Sequence, residues 1–335
     1  MKYQNLGSKP TRNGFGIALA EMGEKHNNLV VIGADVTGSV LTSFFKEKFP
    51  ERFISVGVAE QNATTVAAGL ALSGKIAVFS SYSAFSAFRN ADMLRVSVAY
   101  NDVNVKIGGG HAGVTVGPDG ATHQSLEEIA FVRALPNMTL VVPADYEETR
   151  KATIAVIEKP GPAFIRFGRP SVPMFTTPES VFEIGKANVL TDGSDVAIVA
   201  CGHLVWEALL AADILESKHG IKARVINNHT IKPIDVKTIT DASIQCGAIV
   251  TAEEHQVHGG LGGAVAEVVA KNYPCPIEFV GMRDEFGGSG EPDELMIKYG
   301  MTHKEIVMSV FKVLERKEKG FVGYRKVSDV PISDN

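Results

Sequence analysis

Three clusters in the sequence hold residues whose types and spacing could do chemistry. In SVGVAEQN, Glu60 follows a short β-branched run and a glycine and opens a helix at Gln61 and Asn62. A carboxylate there could exchange a proton with a ligand. It could equally satisfy the orphan N–H groups and the dipole of the helix start, and position alone favours that structural use. In FSSYSAFSAFRNADML, Tyr82, Phe85 and Phe88 recur every three residues and fall near one face of a helix or turn. A core stripe explains such spacing more often than a cofactor platform does. The third cluster, GGGHAGVTVGPDGATHQ, gathers six glycines, His111, Asp119 and His123 within 17 residues. Packing explains that composition poorly. Two imidazoles and a carboxylate on a glycine-rich loop suit polar-substrate chemistry near neutral pH. Zinc is a poor fit, because the two histidines are separated by eleven residues with no cysteine partner and no helical i,i+4 histidine.

These clusters need a scaffold, and the alternation of short β-branched runs with alanine-rich stretches supplies one. NLVVIG, RFISV, KIAVFS, DVNVKIGG and TLVVPAD read as strands, while Gln61 to Ser73 and Ala84 to Ala99 carry apolar residues at helical spacing. Such alternation predicts a doubly wound parallel sheet over residues 1–170, with the glycine-rich loop at the carboxyl ends of the strands. Proline and hydroxyl residues then interrupt both periodicities, which predicts a linker over 171–190. DVAIVACG, ARVINN, GAIVTAEE and IEFVGM continue as buried strands of a smaller α/β domain over 191–318, followed by a polar tail over 319–335.

Composition narrows the function classes. A chain of 335 residues suits about two domains. With 33 Lys and Arg against 38 Asp and Glu, the net charge of −5 offers no basic field for nucleic acid. The start, MKYQNLGSKPTRNGFG, has no apolar signal core, and no stretch approaches the ~18 apolar residues of a membrane helix, so a soluble, cytoplasmic protein is expected. Cys201, Cys246 and Cys275 are odd in number and form no C-x-x-C pair, and are expected to be small buried residues. GFGIAL and GLGGAV lack the third small residue of a dinucleotide fingerprint, and there is no G-x-x-x-x-G-K-[ST] loop.

Taken together, GADVTGS, VGVAEQN, the aromatic run, DGATHQ and FVRALPNMTLVVPAD resemble the pyrimidine-binding domain of transketolases, and the remainder resembles their carboxyl-terminal domain. The likeness extends from about Lys9 to Lys317. A transketolase first domain, with the motif that holds magnesium and the diphosphate of thiamine diphosphate, has no counterpart in the chain. The resemblance therefore implies the second subunit of a split transketolase, which transfers a two-carbon ketol unit from a ketose phosphate to an aldose phosphate. A separate amino-terminal subunit would share the thiamine diphosphate and hold most of the magnesium, in a heterotetramer with two chains of each kind.

The same resemblance implies roles for individual residues. Glu60 would hydrogen-bond the cofactor's pyrimidine N1′. Tyr82, Phe85 and Phe88 would enclose the aminopyrimidine, and Asp35 would approach the cofactor. Arg12 and Ser39 would hold the sugar phosphate terminus together with Arg169, which is preferred to Arg166. His111 and His123 would act near the ketose carbonyl and hydroxyls, and Asp119 would read a hydroxyl. Tyr82, Ala112 and Pro118 depart from the residues common in transketolases, which leaves the sugar open. A 1-deoxyxylulose-5-phosphate synthase, a 2-oxoacid dehydrogenase beta subunit and a non-catalytic regulatory partner are the alternatives. His255 and His258 have no role in the cofactor chemistry and are expected to be structural or interface residues.

Overall fold

Runs such as LVVIG and VAIVA are apolar on both pleated faces, so they can be satisfied only by a sheet covered on both sides. A computed structural model describes residues 3–319 and places these runs in two such sheets. The strands are β1 (Ser8–Pro10), β2 (Leu29–Gly33), β3 (Phe53–Ser55), β4 (Ile76–Tyr82), β5 (Val105–Gly110), β6 (Thr139–Val141), β7 (Ala163–Arg166) and β8 (Ser171–Pro173). They continue with β9 (Asn188–Val189), β10 (Val196–Ala200), β11 (Ala223–Asn227), β12 (Thr230–Lys232), β13 (Ile249–Gln256) and β14 (Ile277–Met282).

The first sheet has the order β12-β6-β7-β5-β4-β2-β3 and is parallel except for β12. Along β2, Leu29 and Val31 face Phe15 and Leu19 of the helix Thr11–Lys25, while Val30 and Ile32 face Ala63 and Ala67 of the helix Glu60–Leu72. The chain leaves β2 toward β3 on one side and returns to β4 on the other. The carboxyl ends of β2 and β4 therefore flank a topological switch point, the place where open α/β sheets bind ligands. The second sheet, β14-β13-β10-β11-β9, is parallel except for β9.

The stretch 171–190, expected as a linker, carries two short strands. β8 pairs antiparallel with β1, and β9 joins the second sheet. β12 belongs to the second half of the sequence but completes the first sheet, where Thr230 pairs with Val141 and Lys232 with Leu140. The apolar core is likewise continuous, with Leu140 and Val142 in one cluster with Ile231 and Val265. The three cysteines are free and buried. Among the described residues no helix is long and apolar enough to cross a membrane. The tail expected over 319–335 lies, beyond its first residue, outside the described residues.

Candidate functional site

Glu60 begins the helix Glu60–Leu72, just past the carboxyl end of β3, with its side chain only 2% exposed. Its carboxylate meets one cation. Arg89 Nη1 straddles the two oxygens at 3.2 and 3.1 Å, and the Arg89 guanidinium lies 4.1 Å from the centre of the Phe85 ring. Arg89 reaches this position because Phe85–Arg89 and Leu94–Tyr100 are π-helical turns on either side of a single α-helical turn, Ala91–Met93. Wide turns of this kind re-aim side chains and occur often at functional sites. Asn90 ties the first of them to the helix of Glu60 by donating to Thr64.

The aromatic side chains form a wall beside this pair. Tyr82, at the end of β4, stacks on Phe85 at 5.9 Å and on His111 at 4.2 Å, while His123 meets Phe85 edge-on at 5.2 Å. Phe88 turns its ring toward Phe131, 6.2 Å away. Phe85, Phe88, Arg89, Thr122, Gln124 and Phe286 line a cleft of about 570 Å³, with Phe286 contributed by the second half of the chain. His111 sits in a left-handed conformation (φ 55°) directly after β5. Burial first, and then the charges of Arg12, Arg169 and His123, lower its pKa to about 3, so the imidazole is neutral at physiological pH. Its Nδ1 is buried with no hydrogen-bond partner among the described residues. His123 Nδ1 lies 2.9 Å from the Thr122 hydroxyl.

Cationic side chains gather on the other side of His111. Arg12 donates to the Ser39 carbonyl at 3.0 Å, and its own pKa is lowered by burial first and by Arg169 second. Arg169 donates to the Val116 carbonyl at 2.8 Å and pairs with Asp119 at 3.5 Å. Asp35 is exposed in the loop after β2, in the left-handed conformation (φ 64°). Arg166 is placed differently. It is buried against Glu128 at 2.6 Å and donates to the Glu254 carbonyl, which joins the two halves of the chain.

Comparison with known proteins decides the family. The family description "Transketolase, pyrimidine binding domain" matches residues 8–174, and "Transketolase, C-terminal domain" matches residues 185–306. The chain belongs to the transketolase family. A Methanocaldococcus jannaschii protein provisionally named transketolase C-terminal section is 44% identical over 312 residues, covering 92% of this chain and 98% of that one. A Clostridium 6-deoxy-6-sulfo-D-fructose transketolase subunit is 42% identical over 299 residues, covering 89% and 92%. A solved structure described as a split gene transketolase, inactive beta4 tetramer, superposes with a TM-score of 0.85 at 44% identity, covering 93% of this chain and 100% of that one. This transketolase-family chain is thus similar to whole subunits of split enzymes.

One reading of this transketolase chain's sequence changes with the structure. The glycine-rich stretch is not one loop, because Gly108, Gly109 and Gly110 end β5, and packing does explain them. A Cβ at Gly109 would lie 2.4 Å from the Phe164 ring, and those at Gly108 and Gly110 would press on Phe15 and Phe167. Gly113 (φ 81°) has a second reason to be glycine, since a Cβ there would meet the Glu254 carboxylate at 2.1 Å. That carboxylate accepts from Thr115 N at 2.8 Å and so holds the start of the loop. His255 is buried between Gln256 and Ala130, whereas His258 is exposed in a turn. Spacing alone did not reveal Arg89, although its place directly after the aromatic run was a signal for a cation on a ring.

Proposed function

We propose that the chain is the carboxyl-terminal subunit of a two-chain, thiamine-diphosphate-dependent transketolase that moves a two-carbon ketol unit between sugar phosphates. The observation that carries this reading is a buried carboxylate, Glu60, linked through Arg89 to the ring of Phe85, which stacks on Tyr82 and lines the cleft. An aminopyrimidine needs a hydrogen-bonding acid at its edge and an aromatic face against its plane, so the residues present fit that end of the cofactor. When bound, thiamine diphosphate supplies the carbon nucleophile that carries the ketol unit. Glu60 then holds the ring edge, Tyr82, Phe85 and Phe88 exclude water from its faces, and Asp35 approaches the cofactor from the loop after β2.

His111 and His123 face the reacting carbonyl and hydroxyls, where the neutral His111 imidazole can give or take a hydrogen bond without the cost of a buried charge. Asp119 takes a sugar hydroxyl. Arg12, the Ser39 region and Arg169 hold the terminal anion, since Arg12, whose pKa is lowered by burial and then by the charge of Arg169, gains from an anion placed beside it. That preference is for a phosphate. A sulfonate is the second reading, favoured by the relative that is named for a sulfo-sugar.

The chain holds only one end of the cofactor. On this reading the magnesium and diphosphate fall to a separate amino-terminal subunit, in an assembly of two chains of each kind. The related split-gene tetramer described as inactive supports this. The test is a ketol-transfer assay with ketose phosphates and 6-deoxy-6-sulfo-fructose, with thiamine diphosphate and magnesium, with and without the amino-terminal subunit. Activity is expected only from the mixture. Full activity from the isolated chain would overturn the split-enzyme reading.

A further inference from the structure

Glu60 is nearly inaccessible, and Arg89 is paired with it. One guanidinium nitrogen engages both carboxylate oxygens, and the same guanidinium lies 4.1 Å over the Phe85 ring. These are the two contacts assigned above to the aminopyrimidine, so this inference rests on that reading. A guanidinium is planar, carries N–H donors at its edge and stacks on aromatic faces, which makes it a fair chemical imitation of a flat nitrogen heterocycle. The Arg89 side chain is 46% exposed while that of Glu60 is 2% exposed. The arginine can therefore swing into solvent, whereas the carboxylate, on the first turn of a helix, cannot.

We infer that Arg89 is a placeholder for the cofactor: in the unloaded chain it occupies the seat of the aminopyrimidine between Glu60 and Phe85, and it leaves when the cofactor enters. The arrangement keeps a buried carboxylate paired until its ligand arrives, since a lone buried charge is costly. It also makes Arg89 a competitor whose removal favours the loaded state. Arg89 is a positioning residue here, and its role is read in binding.

The experiment measures thiamine diphosphate affinity calorimetrically, with magnesium, on the assembled two-chain complex carrying wild-type chain, Arg89→Met or Arg89→Lys. Arg89→Met is expected to tighten the dissociation constant roughly threefold or more, the scale of a half-exposed charge pair. Arg89→Lys, which cannot span both oxygens in the same way, should tighten it less. The melting temperature of the unloaded complex should fall in Arg89→Met while that of the loaded complex changes little. Unchanged or weaker cofactor binding in a folded Arg89→Met complex would overturn the inference while leaving the proposed function in place. If Arg89→Met does not fold, unchanged or weaker binding by Arg89→Lys has the same force. Failure of the wild-type complex to bind thiamine diphosphate at all would overturn the proposed function, and this inference with it.

Discussion

Two side chains carry the proposed chemistry and can be tested singly. Glu60→Gln keeps the volume and one acceptor but removes the acid, so turnover of the assembled enzyme should fall by roughly 10²-fold or more while the far-ultraviolet circular dichroism is unchanged. His111 offers a pH test. Its folded-state pKa of about 3 lies below the ordinary value of 6.5, so the unfolded chain binds the extra proton between those limits. Stability should therefore drop as pH falls from 6.5 toward 3. His111→Phe can keep the stack on Tyr82 and should flatten that part of the stability profile, measured by urea unfolding at several pH values. If the slope persisted in the variant, burial of His111 would not be its source. At this scale type and setting singled out His111 and His123, whereas Glu60 and Tyr82, whose positions alone read as helix start and core stripe, gained a proposed role only through the resemblance to transketolases. Arg89 was hidden, because its meaning lies in a π-helical turn that a three-residue spacing does not encode.

The strands were legible for a different reason. Buried parallel strands must be apolar on both faces, and LVVIG, KIAVF and VAIVA leave little else to be. The glycine run at the end of β5 reads both as the end of the strand DVNVKIGG and as the start of a glycine-rich loop, since three consecutive glycines carry no side-chain pattern to mark the boundary. Only the tertiary neighbours, Phe15, Phe164 and Phe167, explain why the strand continues through them. Gly109→Ala makes this testable. The added methyl would lie 2.4 Å from the Phe164 ring within the sheet, and such overpacking should destabilise the chain by about 1–3 kcal/mol in denaturant unfolding. Because His111 follows directly on β5, the same variant should also raise the KM for the sugar of the proposed reaction.

Over the whole molecule, the two halves are joined by more than a linker. Arg166 bridges Glu128 and the Glu254 carbonyl, Asn227 donates to Glu148 at 2.7 Å, and Lys232 donates to the Arg133 carbonyl at 3.0 Å. β12 crosses over to hydrogen-bond β6. No local pattern foretold that crossing, because TIK is too short to declare which sheet it joins. A fragment ending at residue 184 should therefore expose the edge of β6 and aggregate, as seen by size-exclusion chromatography, whereas the intact chain should not. A well-behaved monomeric fragment would show the crossing strand to be dispensable.

The crossing strand also has a consequence for heredity. Recombination between two relatives at the apparent seam, near residues 175–184, would give the offspring a first sheet whose outermost member comes from the other parent. Thr230 and Lys232 would then have to match a foreign Val141 and Leu140, and the foreign helix end that Lys232 caps. Grafts at that seam should succeed only between parents that agree along this short border. For exchanging specificity between lineages, the permissive unit is the whole chain, traded as an intact gene.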